Sequence, residues 1–296
     1  MLNRRAFLSG SMAFLAIAGC RSSQRDIVVG SKNFTEQLVL GELFAQMLEH
    51  YCEAPVDRRF YLAGTYICQQ AILAGRIDVY PEYTGTALAA VLKEKASGDP
   101  AQVYEEVQRQ YLQKFDLDVM PPLGFNNSFA MVMRGEDARR LGLTKLSQLA
   151  PQAPHMRLGV GYEFLERQDG YQGLVRTYDL KFEEAPRVMD LGLLYRALQS
   201  RGVDIVAGSN TDGLIAALGL VVLEDDRHYF PPYDAVPIVR PNLFQRFTAA
   251  RTALGQLAGR ITAEEMRKMN YAVDGDKRDA AAVAREFLQQ KNLLPR

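Results

Sequence analysis

Apolar residues fall in short blocks that switch between two spacings. Ile27-Val28-Val29-Gly30 is a continuous apolar run of buried-strand length, and Leu38, Leu40, Leu43, Phe44, Met47 and Leu48 then recur at helical spacing. Val56 to Tyr61, Ile67 to Leu73, Ile77 to Tyr80 and Thr86 to Leu92 repeat the alternation, a strand-helix series of the parallel α/β kind. Polar Lys93 to Pro100 interrupts it. Ser97-Gly98-Asp99-Pro100 is a loop and cap signal before a predicted helix over Ala101 to Phe115.

Pro121-Pro122-Leu123-Gly124 then breaks the pattern, and Phe129-Ala130-Met131-Val132-Met133 opens a second series. Strands are expected near Leu158 to Val160, Arg187 to Met189 and Asp204 to Ala207, with helices at Tyr171 to Tyr178, Leu191 to Ser200 and Thr211 to Leu218. Pro231-Pro232-Tyr233 and Val236-Pro237-Ile238-Val239 mark a return to the first series. Three helices are expected after it, near Asn242 to Leu257, Thr262 to Val273 and Asp279 to Lys291. Two interwoven α/β lobes joined by two crossings follow, with residues 27–126 plus 236–296 in lobe 1 and 127–235 in lobe 2. A ligand of such a clamshell belongs in the cleft between lobes.

Length and composition change this picture little. A chain of 296 residues with 48% hydrophobic residues can bury the cores of two ordinary lobes. Its formal charge is zero, so it carries no electrostatic footprint for nucleic acid. The first twenty residues read as a targeting segment. Arg4-Arg5 stands in a positive n-region, and the apolar stretch Met12 to Ala18 is too short to span a bilayer. Both twin-arginine and general secretory export fit it. Ile17-Ala18-Gly19-Cys20 resembles a lipobox, which implies lipidation at Cys20 and attachment to a membrane outside the cytoplasm; a plain cleavable signal peptide is the alternative. Cys52 and Cys68 are expected unpaired, because the strand between them separates their helices by about 20 Å, against the roughly 7 Å Cα separation a disulfide tolerates.

The stretch Asp78-Val79-Tyr80-Pro81-Glu82-Tyr83-Thr84-Gly85-Thr86 is the most informative in the chain. It reads as a strand ending at Tyr80, stopped by Pro81, with Tyr83 to Thr86 opening a helix. Ligands dock at such strand-to-helix turns, where helix amides lack partners. Together with Gly30-Ser31-Lys32-Asn33-Phe34-Thr35-Glu36-Gln37, this stretch resembles the solute-binding proteins of ABC importers for quaternary amines such as glycine betaine, choline and carnitine. The similarity runs from about Ile27 to the C-terminal helices. It implies the bilobal periplasmic-binding fold of type II, a small quaternary amine or zwitterion as ligand, permease and ATPase subunits as partners, no cofactor, and a monomer.

A quaternary ammonium donates no hydrogen bond, so proteins hold it against aromatic faces, each contributing about 0.5–2 kcal/mol. Tyr83 in Pro-Glu-Tyr-Thr-Gly-Thr and Tyr233 in Phe-Pro-Pro-Tyr match cage tyrosines of the family. Phe129 stands where another tyrosine is common, and Ser209 where betaine-binding members often carry an aromatic residue, so one wall is expected to be missing. Tyr66 is a candidate to fill it. For a ligand carboxylate, Lys32, Thr86 and Arg167 are the expected partners, and Asn127 matches a polar residue lining the family's cage.

Other signals are discounted. Glu224-Asp225-Asp226-Arg227-His228 reads as a solvated turn rather than a metal site. Gly159-Val160-Gly161 lacks the third glycine of a dinucleotide loop. Alternative readings are a receptor for another betaine-like ligand such as ergothioneine, a tethered sensor domain, or an enzyme using Glu82 beside Tyr83 for acid-base work.

Overall fold

The computed structural model describes residues 26–94 and 98–296. The targeting segment, Cys20 and Ser97 of the loop signal lie outside them. Two five-stranded sheets organise the chain. The first has the order β2 (Val56–Leu62), β1 (Ile27–Lys32), β3 (Val79–Tyr83), β10 (Ala235–Val239) and β4 (Asp118–Val119). The second has the order β7 (Arg187–Val188), β6 (Leu158–Val160), β8 (Ile205–Ser209), β5 (Phe129–Arg134) and β9 (Leu220–Leu223). Each sheet is mixed rather than wholly parallel. β1 pairs parallel with β2 and β3, whereas β10 enters antiparallel to β3; in the other sheet, β5 enters antiparallel to β8. The strands that break the parallel pattern are those arriving by a crossing from the other sheet.

The crossings run side by side. Asn126 bridges Asp234 in antiparallel fashion, the Asn127 amide donates to the Tyr233 carbonyl (3.0 Å), and the Ala235 amide donates to the Phe125 carbonyl (3.1 Å). Backbone hydrogen bonds thus clip the two segments into one narrow ribbon between the sheets.

The helix α1 (Thr35–Cys52) is buried nearly all round, polar Glu36, Gln37, Glu42 and Gln46 included. It lies between the first sheet and the C-terminal helices, with Val39, Leu40, Leu43, Phe44, Met47 and Leu48 all fully buried. Each such side chain contributes about 1.5–3 kcal/mol of burial. Met131, Met133, Leu158, Val160 and Ile205 are buried in the second lobe.

Four expectations are corrected. The strand does not stop at Pro81, because β3 runs on to Tyr83 in the middle of its sheet. Pro81 faces Pro237 of β10, and Pro237 turns its carbonyl away, to the Met120 amide (2.9 Å), so no amide hydrogen is due from either proline between β3 and β10. The expected helix over Asn242 to Leu257 is two, Pro241–Arg246 and Ala250–Gly255, broken where Phe247 leaves helical geometry and turns into the core. The helix expected over Thr211 to Leu218 shrinks to Leu214–Ala217, since Ser209, Thr211 and Asp212 form a hydrogen-bonded turn. The acidic run is more than a solvated turn: Asp225 accepts the Tyr178 hydroxyl and the amides of Tyr229 (3.0 Å) and Phe230 (2.8 Å).

Cys52 ends α1 and Cys68 lies in α2 (Thr65–Leu73); both are free thiols. No helix among the described residues is long and apolar enough to cross a membrane.

Candidate functional site

A cleft of about 460 Å³ opens between the sheets, within the size range of small-molecule sites. Its walls come from the carboxyl ends of β1, β3 and β8, the start of β5, and the crossing ribbon. Lys32, Tyr83, Thr86, Asn127, Phe129, Arg167, Ser209 and Tyr233 all line it. Tyr66 does not. Its ring lies outside the cleft against Lys93, whose ammonium sits 5.1 Å from the ring centre, so it cannot replace a missing cage wall.

Three rings gather here from distant parts of the chain. Tyr83 closes β3 and stacks beside Phe34, with centroids 6.4 Å apart. Its hydroxyl donates to Glu36 Oε1 (2.7 Å) and accepts from Gln37 Nε2 (3.1 Å). Tyr233 leaves the return crossing, donates its hydroxyl to Asp169 Oδ2 (2.6 Å) and meets Phe129 edge-on at 5.9 Å. Gly85 lets Tyr233 approach, since a Cβ there would stand 2.5 Å from the Pro232 carbonyl oxygen and 2.8 Å from the Tyr233 ring.

The two basic side chains are already engaged. Lys32 Nζ is hydrogen-bonded to Glu82 Oε1, both groups nearly inaccessible, and stands 5.0 Å over the Tyr83 ring. Arg167 clasps Asp169 through two parallel hydrogen bonds, 2.8 Å from Nε and 2.5 Å from Nη2. Its guanidinium lies 4.8 Å from the Phe129 ring and 5.8 Å from the Tyr233 ring. Neither is the free cation that its position in the sequence implied. Glu82, the acid-base candidate, is fully buried and outside the cleft lining.

Sequence reasoning missed the acidic wall. Glu36, in the first turn of α1, is buried with its carboxylate bound by Asn127 Nδ2 (2.6 Å), Asn270 Nδ2 (3.1 Å) and the Tyr83 hydroxyl. Burial raises its pKa, and the hydrogen bonds act against that rise. Asp212 accepts the Tyr195 hydroxyl, and burial raises its carboxyl to about 7. Asp274, also in the cleft, is raised by burial and receives the Thr35 hydroxyl (2.6 Å). Ser209 hydrogen-bonds Asn127 Oδ1 and lies 2.9 Å from the Thr211 hydroxyl. The spacing of Thr35 and Glu36 at a helix start was the one available signal, and it reads equally well as an ordinary first-turn acid.

Two mixed α/β sheets, a paired crossing ribbon and a polar-aromatic cleft between them are the fold of a type II periplasmic-binding protein, and the family match makes the chain the extracytoplasmic solute-binding component of an ABC importer. Residues 25–290 match the substrate binding domain of the ABC-type glycine betaine transport system, and the chain belongs to that family, OpuAC. The carnitine transport binding protein OpuCC of Listeria monocytogenes is 30% identical over 295 residues, covering 99% of this chain and 94% of the relative. The ergothioneine transport permease/ergothioneine binding protein EgtU of Helicobacter pylori is 31% identical over 91% of this chain, which spans 48% of that longer protein. A crystal structure described as a glycine betaine/carnitine/choline ABC transporter superposes with a TM-score of 0.74 at 31% identity, covering 90% of this chain and 99% of that one.

Proposed function

We propose that this protein captures a quaternary amine or related zwitterion outside the cytoplasmic membrane and delivers it to an ABC permease and its ATPase. The observation that carries the reading is the convergence of Tyr83, Phe129 and Tyr233 on one interlobe cleft. The protein's own ammonium and guanidinium already rest against these rings, which is the behaviour expected of faces suited to a cation. Thr86, Asn127 and Ser209 supply neutral polar contacts, and Glu36 and Asp212 supply the negative field that draws the ligand's positive end.

Lys32 and Arg167 act on the ligand at one remove, by fixing the rings. Residues 27–126 with 236–296 form one lobe and 127–235 the other, the paired crossings serving as hinge. Lipidation at Cys20 would hold a monomeric receptor at the membrane. Isothermal titration with glycine betaine, choline, carnitine and ergothioneine tests the ligand class. Saturable heat with at least one of them is expected, and its absence with all four would overturn the reading.

A further inference from the structure

Resting on that reading, we infer that Tyr61 is a ligand-covering residue, a ring that closes over the bound cation from the mouth of the cleft. Tyr61 belongs to β2, where the ladder with β1 slips. Gly30 pairs with Arg59 but Lys32 pairs with Leu62, so two residues of β2, Phe60 and Tyr61, face the single residue Ser31. A bulge of this kind re-aims a side chain. Phe60 takes the core position against Gly41, and Tyr61 turns to line the cleft.

Its backbone has φ of 61°, a left-handed conformation that a bulky residue adopts only when its surroundings enforce it, and such outliers concentrate at functional positions. In this bulge the Tyr61 amide donates to Ser31 Oγ (3.4 Å). The ring gains little from this arrangement in the structure itself, being 55% exposed, the most open of the large apolar side chains among the described residues.

Its location supplies the use. Ala63 and Gly64, just beyond, are one of the places where the two halves touch. The Tyr162 hydroxyl donates to the Ala63 carbonyl (3.4 Å), and a Cβ on Gly64 would fall 2.3 Å from Glu163 Oε1. Tyr61 therefore sits on the lip that meets the opposite lobe. Burial raises its hydroxyl pKa, with the charges of Asp190 across the cleft and Asp274 adding to the rise. A ring here offers a further π face to the cleft that Tyr83, Phe129 and Tyr233 also line.

The chain contains no tryptophan, so Tyr61→Trp installs a single reporter. Saturating the full-length variant with whichever of glycine betaine, choline, carnitine and ergothioneine gives heat with the unmodified protein should shift its emission to the blue. A Leu112→Trp control, on an exposed site outside the cleft lining, should stay silent. Tyr61→Ala should weaken binding about tenfold, Tyr61→Phe less than twofold. Tyr61→Gly, which suits the left-handed backbone, should lose the same affinity while melting no lower than the parent, separating lost contact from lost fold. Unchanged emission at saturation, or unchanged affinity in Tyr61→Ala and Tyr61→Gly, would overturn the inference and leave the ligand class standing. No heat with the unmodified protein would remove the class and the inference with it.

Discussion

Removing the Glu82 carboxylate should be far more damaging than removing both members of its ion pair. Glu82→Ala leaves the Lys32 ammonium buried without a counter-ion and takes away the acceptor of the Tyr83 amide, 2.8 Å from Oε1. Stranding one partner of a buried pair costs about 3–5 kcal/mol, and the orphaned amide adds about 1–3 kcal/mol. A chain of this size should lose roughly 10 °C or more of melting temperature. Glu82 Oε2 has no hydrogen-bond partner, so the pair is poorly compensated even when intact. Lys32→Met with Glu82→Leu should therefore recover most of the loss. The decisive comparison combines urea denaturation with titration calorimetry. If Lys32 supports the Tyr83 ring rather than gripping a ligand carboxylate, the double variant keeps glycine betaine affinity within about threefold. A drop of a hundredfold in the double variant, with normal folding, would refute the reasoning and return Lys32 to the ligand.

Three further outcomes are expected. Tyr83→Ala and Tyr233→Ala should each lower affinity at least about tenfold in calorimetry, the loss of one dry aromatic face. Gly85→Ala should push the Tyr233 ring and the Pro232 carbonyl aside, reducing both affinity and urea midpoint, because a backbone oxygen stands 2.5 Å from the new methyl. The Asp212 carboxyl, raised to about 7, favours the folded state when protonated. Its stabilising contribution is present below the unfolded value near 3.8 and is lost as pH rises through about 7. Over the same interval its ionisation should strengthen cation binding, and Asp212→Asn should flatten both pH profiles relative to the parent.

How much could be read beforehand depended on the range of the interaction. β1, α1 and the crossing at Val236 to Val239 were legible because hydrophobic spacing is local. Tyr83 and Tyr233 were legible because each sits in a distinctive short motif. Lys32 and Arg167 were located in the cleft, but the carboxylates that engage them were not foreseen. Pairing with Glu82 depends on a contact across fifty residues that no local pattern encodes. Asp169, two residues from Arg167, was a nearer clue that a lone-cation reading passed over. Glu36 escaped because a first-turn acid is usually solvated, and only the fold brings Asn127 and Asn270 to it. Pro81 was misjudged because a proline forbids a ladder hydrogen bond only where one is due, and its register opposite Pro237 decides that.

The clipped ribbon at Asn126 and Asp234 has a mechanical consequence. Asn127 and Tyr233 stand one residue from that clip and line the cleft. With the ribbon as the proposed hinge, a guest touching them would pull at the pivot with almost no lever arm and would swing the far tips without any relay through the interior.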